Sequence, residues 1–110
     1  MPNAIYGSAE DWLRAVCAPG KFFDGTTIAG ATGGATGGAT CITTGSETIF
    51  ILEYDSNFKM QNDLVAYHMR FYASSVDESG RITVFAVNNQ NTGRALSPLE
   101  SFGFKIRTVS

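Results

Sequence analysis

The spacing of apolar residues predicts one short helix near the start of the chain. Apolar positions recur there every three or four residues, as a helix with a single apolar face requires. They are Ala9, Trp12, Leu13, Val16 and Cys17. Ser8 is a suitable N-cap with Asp11 as its capping-box partner, and Pro19-Gly20 ends the pattern. The pattern predicts a helix over residues 9–18.

From residue 48 onward the pattern changes to the alternation typical of β-strands. The predicted strands are Thr48–Tyr54, Leu64–Ala73, Arg81–Val87 and Phe102–Val109, and residues 41–44 offer one more. The turn-forming stretches Asp55-Ser56-Asn57 and Asp77–Gly80 separate them, and Ser97–Glu100 is consistent with one helical turn.

Strands joined by short turns pair antiparallel. The sequence therefore predicts an α+β fold, mainly β, in which the N-terminal helix packs on an antiparallel meander of about four strands. A small β-sandwich is the structural alternative. A chain of 110 residues is expected to form a single domain.

Two segments are predicted to lie outside this framework. Residues 24–46 are rich in Gly, Ala and Thr, and the stretch 30–40 is nearly a four-residue repeat. Because glycine gives up much backbone entropy when ordered, residues 24–46 are expected to form a long loop, either functional or disordered. Residues 1–7 are expected to form an extended N-terminal arm.

The net charge of the chain and the length of its apolar runs argue against two classes of protein, nucleic-acid binders and membrane-spanning proteins. Eight basic and ten acidic residues give a net charge of -2, which argues against a nucleic-acid partner. The longest apolar run, Ile49–Leu52, is far too short to span a membrane. Charged residues make up only 16% of the chain, against about 25% in ordinary soluble domains. Such a surface is easily desolvated, because neutral polar groups cost less to bury than ions.

Cys17 and Cys41 are the only cysteines. A disulfide between them would clamp the end of the helix to the far side of the Gly-rich segment, and two buried thiols are the alternative. No spacing of Cys and His suggests a metal site, and the glycines match no phosphate-binding motif. We therefore expect no cofactor.

His68 is the only histidine, and Glu53 is its closest candidate partner for acid–base chemistry. A hydrolase or isomerase using His68 with Glu53, Asp55 or Asp63 is one functional hypothesis. A lone histidine on a half-exposed strand is more often a surface or packing residue, so catalysis is not the favoured interpretation.

The favoured hypothesis is a non-enzymatic assembly subunit that associates with itself or with a protein partner. A virion-associated, decoration, fibre or extracellular filament protein would fit the low charge, which favours an extracellular or virion location over the cytoplasm. The candidate interface residues are aromatic: Tyr6, Phe22, Phe23, Phe102 and Phe104. A small monomeric partner-binding or inhibitory protein is the alternative.

Overall fold

The computed structural model describes residues 5–24, 35–88 and 93–109, which form one six-stranded antiparallel sheet with helices on both faces. The predicted α+β class, mainly β, is confirmed, with six strands in place of about four. One sheet is present in the described ranges, and not the two of a sandwich.

The elements follow one another in a simple order. Helix α1 (Ala9–Val16) precedes β1 (Phe22–Asp24), β2 (Gly37–Ile42) and β3 (Thr48–Tyr54). Helix α2 (Asn57–Ala66) then leads to β4 (Met69–Val76) and β5 (Ile82–Asn88). A 3₁₀ helix (Gly93–Phe102) and β6 (Arg107–Thr108) complete the chain. The sheet order is β1-β2-β3-β5-β4-β6, so β5 lies between β3 and β4 and the strands depart from a simple meander.

Helix α1 begins as its sequence predicts. The side chain of Ser8 accepts a hydrogen bond from the backbone of Asp11, and the carboxylate of Asp11 accepts one from the backbone of Ser8. This capping box satisfies two of the amides left open at a helix start. Trp12 then packs edge-on against Phe104, with ring centroids 4.9 Å apart, which seats the helix on the sheet.

The prediction of a strand over Leu64–Ala73 is wrong in its first half, where the chain is still in α2. Ser56 caps this helix by accepting from the backbone of Lys59, so the predicted turn at Asp55-Ser56-Asn57 is a helix start. Met60 and Leu64, four residues apart, are both buried against the sheet. The helical spacing of these two residues outweighs the local alternation.

The prediction of a strand over Phe102–Val109 is also wrong in most of its length. Phe102 ends the 3₁₀ helix, and only Arg107–Thr108 pair with β4. Between them Gly103 has φ 99° and Phe104 turns into the core, which an extended strand would not allow.

The proposed 24–46 loop contains strand β2, whose small residues Ala39 and Cys41 are buried and let β2 pack closely under α1. Residues 25–34, which include the first five positions of the repeat, lie outside the described residues. Residues 5–7 of the predicted arm lie on their own chain: the backbone N–H of Tyr6 donates to the carbonyl of Phe102 at 3.0 Å. Residues 1–4 are also outside the described part.

The sheet carries a hydrophobic core on each face. On one side Ile49, Phe85 and Leu96 pack beneath α1 and the 3₁₀ helix. On the other side Leu52 and Val84 pack beneath α2. In the described part of the chain, no helix is long and apolar enough to cross a membrane.

A disulfide joins Cys17, the C-cap of α1, to Cys41 in β2. Their Cα atoms are 5.5 Å apart although 24 positions separate them in the chain. The bond fastens α1 to the sheet beside β1, and it is the first of the two alternatives that the sequence left open for these cysteines.

Candidate interaction surface

Strand β1 forms one edge of the sheet and carries two exposed aromatic rings. Phe22 is 42% exposed and Phe23 is 51% exposed. Phe22 pairs with Cys41 and Phe23 with Thr40 in β2, and no described strand pairs with the outer side of β1. An apolar sheet edge of this kind is a site where another strand can add.

The hydrogen bonding of β2 fixes which backbone groups point outward from this edge. The N–H of Ile42 donates to the carbonyl of Lys21 at 3.1 Å, so this pair is a hydrogen-bonded rung. Hydrogen-bonded pairs alternate with non-hydrogen-bonded pairs along an antiparallel ladder. The next hydrogen-bonded pair is therefore Phe23 with Thr40, and the backbone groups of Phe23 point inward to β2. The N–H and C=O groups of Phe22 and Asp24 therefore point away from the sheet.

The two rings lie on opposite faces of the sheet, because side chains alternate along a strand. Phe22 is opposite Cys41 and lines a groove beneath α1. Phe23 is opposite Thr40, whose partner in β3 is Phe50, a residue packed on the α2 side. The edge thus offers one aromatic ring to each face.

The groove beside Phe22 has a volume of about 230 Å³. Its apolar lining includes Ala9, Leu13, Phe22, Ala39, Ile51 and Phe85. Glu53 is its acidic group, and one carboxylate oxygen lies 3.5 Å from the guanidinium of Arg81. A Cβ on Gly37 would lie only 3.2 Å from that oxygen, so glycine leaves room for the carboxylate. The groove is therefore mostly apolar, and it is continuous with the exposed ring of Phe22 at the edge of the sheet.

The opposite edge of the sheet has a different character. Strand β6 has only two residues, Arg107 and Thr108, both exposed, and Lys105 just before it is exposed as well. A short strand with positive charges discourages pairing with another sheet. Of the two edges, β1 is the one that carries exposed aromatic rings.

The remaining predicted interface aromatics have different positions. Tyr6 is 60% exposed, and its hydroxyl donates to the carbonyl of Ser101 at 2.6 Å. Phe102 is half-buried, with its ring centroid 6.3 Å from that of Tyr6. Phe104 is only 3% exposed and is a core residue, so its place among the interface candidates is wrong.

The structure does not bring His68 and Glu53 together. Glu53 pairs with Thr83 in β5, whereas Met69, directly after His68, pairs with Asn88 in the same strand. Those positions in β5 are about 17 Å apart along an extended strand. His68 itself is exposed and follows the end of α2 with φ 60°.

The other acidic candidates are engaged elsewhere. Asp63 accepts a hydrogen bond from the hydroxyl of Tyr54, and Asp55 forms an exposed ion pair with Lys59 at 3.4 Å. In the ranges that the structure describes, no three His, Cys, Asp or Glu side chains cluster as metal ligands would.

Sequence reasoning missed two features of this surface. Glu53 and Gly37 line one groove because β2 and β3 pair in register, which only the strand pairing reveals. Phe58, which is 73% exposed, lies on α2, and this position was missed because the helix itself was not predicted. The sequence signal for this helix was the spacing of the apolar residues Met60 and Leu64, which are four positions apart.

Comparison of the chain with known protein families, with curated proteins and with solved structures found no match.

Proposed function

We propose that this protein is a non-enzymatic assembly subunit that associates with copies of itself through the outer edge of β1. The observation that carries the proposal is the exposure of Phe22 and Phe23 on a strand whose outward backbone groups meet no other described strand. Full burial of a phenylalanine contributes about 1.5–3 kcal/mol, so covering two half-exposed rings favours association.

The low charge of the chain supports this proposal. Only 16% of the residues are charged, so little ionic hydration opposes covering the surface. Lys21 and Asp24 flank the two phenylalanines and have opposite charges, so the segment 21–24 has no net charge.

The disulfide supports a location outside the cytoplasm. Disulfides persist in oxidising environments and are rare in reducing ones. The bond between Cys17 and Cys41 supports our proposal of an extracellular or virion location. A decoration, fibre or filament protomer is the kind of protein that combines this location with self-association.

The test compares the native mass at increasing protein concentration for three proteins: the wild type, Phe23→Lys and the matched control Phe58→Lys. Both substitutions place a charge on an exposed phenylalanine, but only Phe23 lies on β1. We expect the wild type and Phe58→Lys to form multimers as concentration rises, and Phe23→Lys to remain monomeric.

A wild type that stays monomeric up to millimolar concentration would overturn the proposal. One-to-one capture of a different protein without self-association would instead support the partner-binding alternative. If Phe23→Lys forms multimers as readily as the wild type, the interface does not lie at β1. Matching thermal unfolding of the three proteins ensures that the comparison concerns association and not folding.

A further inference from the structure

We infer that the β6 side of the molecule carries a second binding surface, which takes a polysaccharide bearing sulfate groups. Four basic residues form this surface, here named the basic corner: Arg70, Arg94, Lys105 and Arg107. The basic corner adjoins β4 and β6, at the edge opposite β1, so binding there and association through β1 are separate properties. The choice of a polysaccharide as the partner rests on the extracellular location proposed above.

The basic corner is built around three residues that lie next to one another. A Cβ placed on Gly93 would lie 3.3 Å from the ring of Phe71 and 3.4 Å from Cγ2 of Ile106. Phe71 and Ile106 both pack against the core on the α1 side of the sheet. Each basic residue of the corner directly precedes or follows one of these three residues in the chain. Contacts between distant parts of the chain therefore gather the four positive charges in one place.

The pairing of β4 with β6 brings two of the arginines together. Arg107 is opposite Tyr72, and the backbone N–H of Val109 donates to the carbonyl of Arg70 at 2.8 Å. Arg70 and Arg107 are therefore diagonal neighbours on adjacent strands, with an expected Cα separation of about 7–8 Å. The guanidinium carbon of Arg70 lies 5.6 Å from the centre of the Phe71 ring, so its charge lies beside the same three residues.

The four basic residues are exposed, and ion pairs do not neutralise them. In the described ranges, the basic residues that form ion pairs are Arg14, Lys59 and Arg81. Glu100, five positions before Lys105, is also absent from these pairs. The corner holds four of the eight basic residues of the chain. Because like charges close together repel one another, an anion that binds between them relieves this repulsion.

The acidic residues of neighbouring elements lie beyond the range at which they would cancel this charge. Asp77 follows the far end of β4, about 20 Å from Arg70 along the strand. Glu100 is six positions from Arg94 in the 3₁₀ helix, about 12 Å along its axis. Glu47 precedes β3, which β5 separates from β4 by about 10 Å across the sheet. The Debye length is about 8 Å at physiological salt, so a positive field persists at the corner.

The side chains of the corner suit a chain of sulfate groups. Three of the four are arginines, whose planar guanidinium donates parallel hydrogen bonds to the oxygens of a tetrahedral anion such as sulfate or phosphate. Lys105 and Arg107 are two positions apart, at most about 7 Å, which resembles the separation of Arg107 from Arg70. A row of cations at this spacing is suited to a polymer with many anionic groups more than to one small ion.

Among polymers of this kind, the surroundings of the corner favour a polysaccharide over a nucleic acid. Single-stranded nucleic acids are bound by stacking their bases on exposed aromatic rings. In the described part of the chain, the exposed aromatic residues lie on other elements: Tyr6, Phe22, Phe23 and Phe58. The Cys17–Cys41 bond supports an oxidising location, and sulfated polysaccharides are found outside cells, in the same setting.

The experiment measures the binding of a fluorescent heparin decasaccharide by anisotropy, at low and at physiological salt. The variant Arg94→Gln/Arg107→Gln removes two charges from the basic corner. The variant Arg14→Gln/Lys21→Gln is the matched control, because it changes the net charge equally at exposed positions outside the corner. We expect the corner variant to bind about tenfold more weakly or worse, with about half the salt dependence, and the control to stay within about twofold of the wild type.

Two further probes test the chemistry of the partner on the wild type. A desulfated heparin of the same length keeps its carboxylates, and we expect it to bind about tenfold more weakly, because arginine recognises the sulfate oxygens. A single-stranded oligothymidylate of equal charge is expected to bind more weakly than heparin. The second corner variant Arg70→Gln/Lys105→Gln should behave as the first, and thermal unfolding verifies that every variant folds.

Equal losses for the corner variants and the control would overturn the assignment of the site. Equal binding of sulfated and desulfated heparin, or tighter binding of oligothymidylate, would overturn the sulfated polysaccharide as the partner. A wild type that forms multimers but does not bind heparin would overturn this inference and leave the proposed function standing. A monomeric wild type that binds heparin at the corner would do the reverse.

Discussion

The hydroxyl of Tyr54 donates a hydrogen bond to a carboxylate oxygen of Asp63 at 2.8 Å, joining the end of β3 to α2 inside the core. Tyr54 is fully buried, and Asp63 is the one buried charged residue in the described ranges, with 8% exposure. Burial, followed by the hydrogen bond to Asp63, raises the pKa of the Tyr54 phenol far above its ordinary value. The phenol therefore stays protonated and available as a donor.

Tyr54→Phe is expected to lower the free energy of unfolding by about 1–3 kcal/mol, because it leaves the Asp63 carboxylate buried without this donor. Urea unfolding measures the loss. Tyr72→Phe is the matched control, since the Tyr72 hydroxyl accepts from the side chain of Gln61, which is neutral and only partly buried. A loss for Tyr54→Phe no larger than that of Tyr72→Phe would contradict the role of the Tyr54–Asp63 pair.

The same pair predicts a dependence of stability on alkaline pH. Because the pKa of Tyr54 is raised from 10.0 in the fold, its stabilising contribution is complete below pH 10 and is lost as the pH rises beyond it. Burial also raises the pKa of Tyr67. Thermal unfolding between pH 9 and 11 should therefore show a shallower decline for Tyr54→Phe than for the wild type. Parallel declines would contradict this.

Loss of the Cys17–Cys41 disulfide is expected to destabilise the fold by about 3 kcal/mol, since it closes a loop of 24 residues in the unfolded chain. Urea unfolding with and without a reductant measures the difference. The double variant Cys17→Ala/Cys41→Ala is the control, because its midpoint should not respond to reductant. An unchanged wild-type midpoint on verified reduction would show that the bond does not support the fold.

Gly7→Ala is expected to cost more stability than Gly80→Ala. Both glycines have φ 89°, so alanine meets the same backbone strain, about 1–2 kcal/mol, at each position. A Cβ on Gly7 would also approach a ring carbon of Phe102 to 2.9 Å, whereas one on Gly80 meets nothing within 4 Å. Thermal unfolding of the two variants measures the cost of crowding Phe102 and Nε1 of Trp12, which the Cβ would approach to 3.2 Å, and equal losses would show that both side chains move aside freely.

The β4–β5 turn is expected to weaken in acid. A hydrogen bond from the hydroxyl of Ser79, followed by one from the backbone N–H of Arg81, lowers the pKa of Asp77 below 3.8. Since the pKa is lowered, the contribution is present above about pH 4 and is lost as the pH falls below that value. The stability difference between the wild type and Asp77→Asn should therefore shrink between pH 5 and 2.

Glu78→Gln is the control for that measurement, because it removes a neighbouring exposed carboxylate that has no such bonds in the turn. Differential scanning calorimetry across the pH series gives the comparison. A difference between the wild type and Asp77→Asn that is constant with pH would show that the hydrogen bonds at Asp77 do not depend on its charge.

The local features of this chain were predictable where neighbouring residues alone decide them. Ser8 and Asp11 cap α1 because both partners lie within four residues. The strand Thr48–Tyr54 was predicted with its observed bounds, since its alternating apolar residues are buried on both faces of the sheet. The turn at Asp77 likewise depends on contacts within four residues.

The candidate site was predictable only in part. Phe22 and Phe23 were singled out as exposed aromatics, but the sequence did not show that they lie on an edge strand. Phe104 was assigned to the same surface, although Trp12 and Phe85 enclose it in the core. Exposure of an aromatic residue depends on which elements pack over it, and those elements are distant in sequence.

The sequence by itself determined the α+β class, helix α1, β3 and the chemistry of the β4–β5 turn, because propensity and alternation act over a few residues. Only the tertiary structure decided that Asn57–Ala66 is a helix, that β5 lies between β3 and β4, and that β1 is an edge. Those outcomes depend on contacts across the sheet, whose energies exceed local preferences and leave at most a weak short-range pattern in the chain, such as the spacing of Met60 and Leu64.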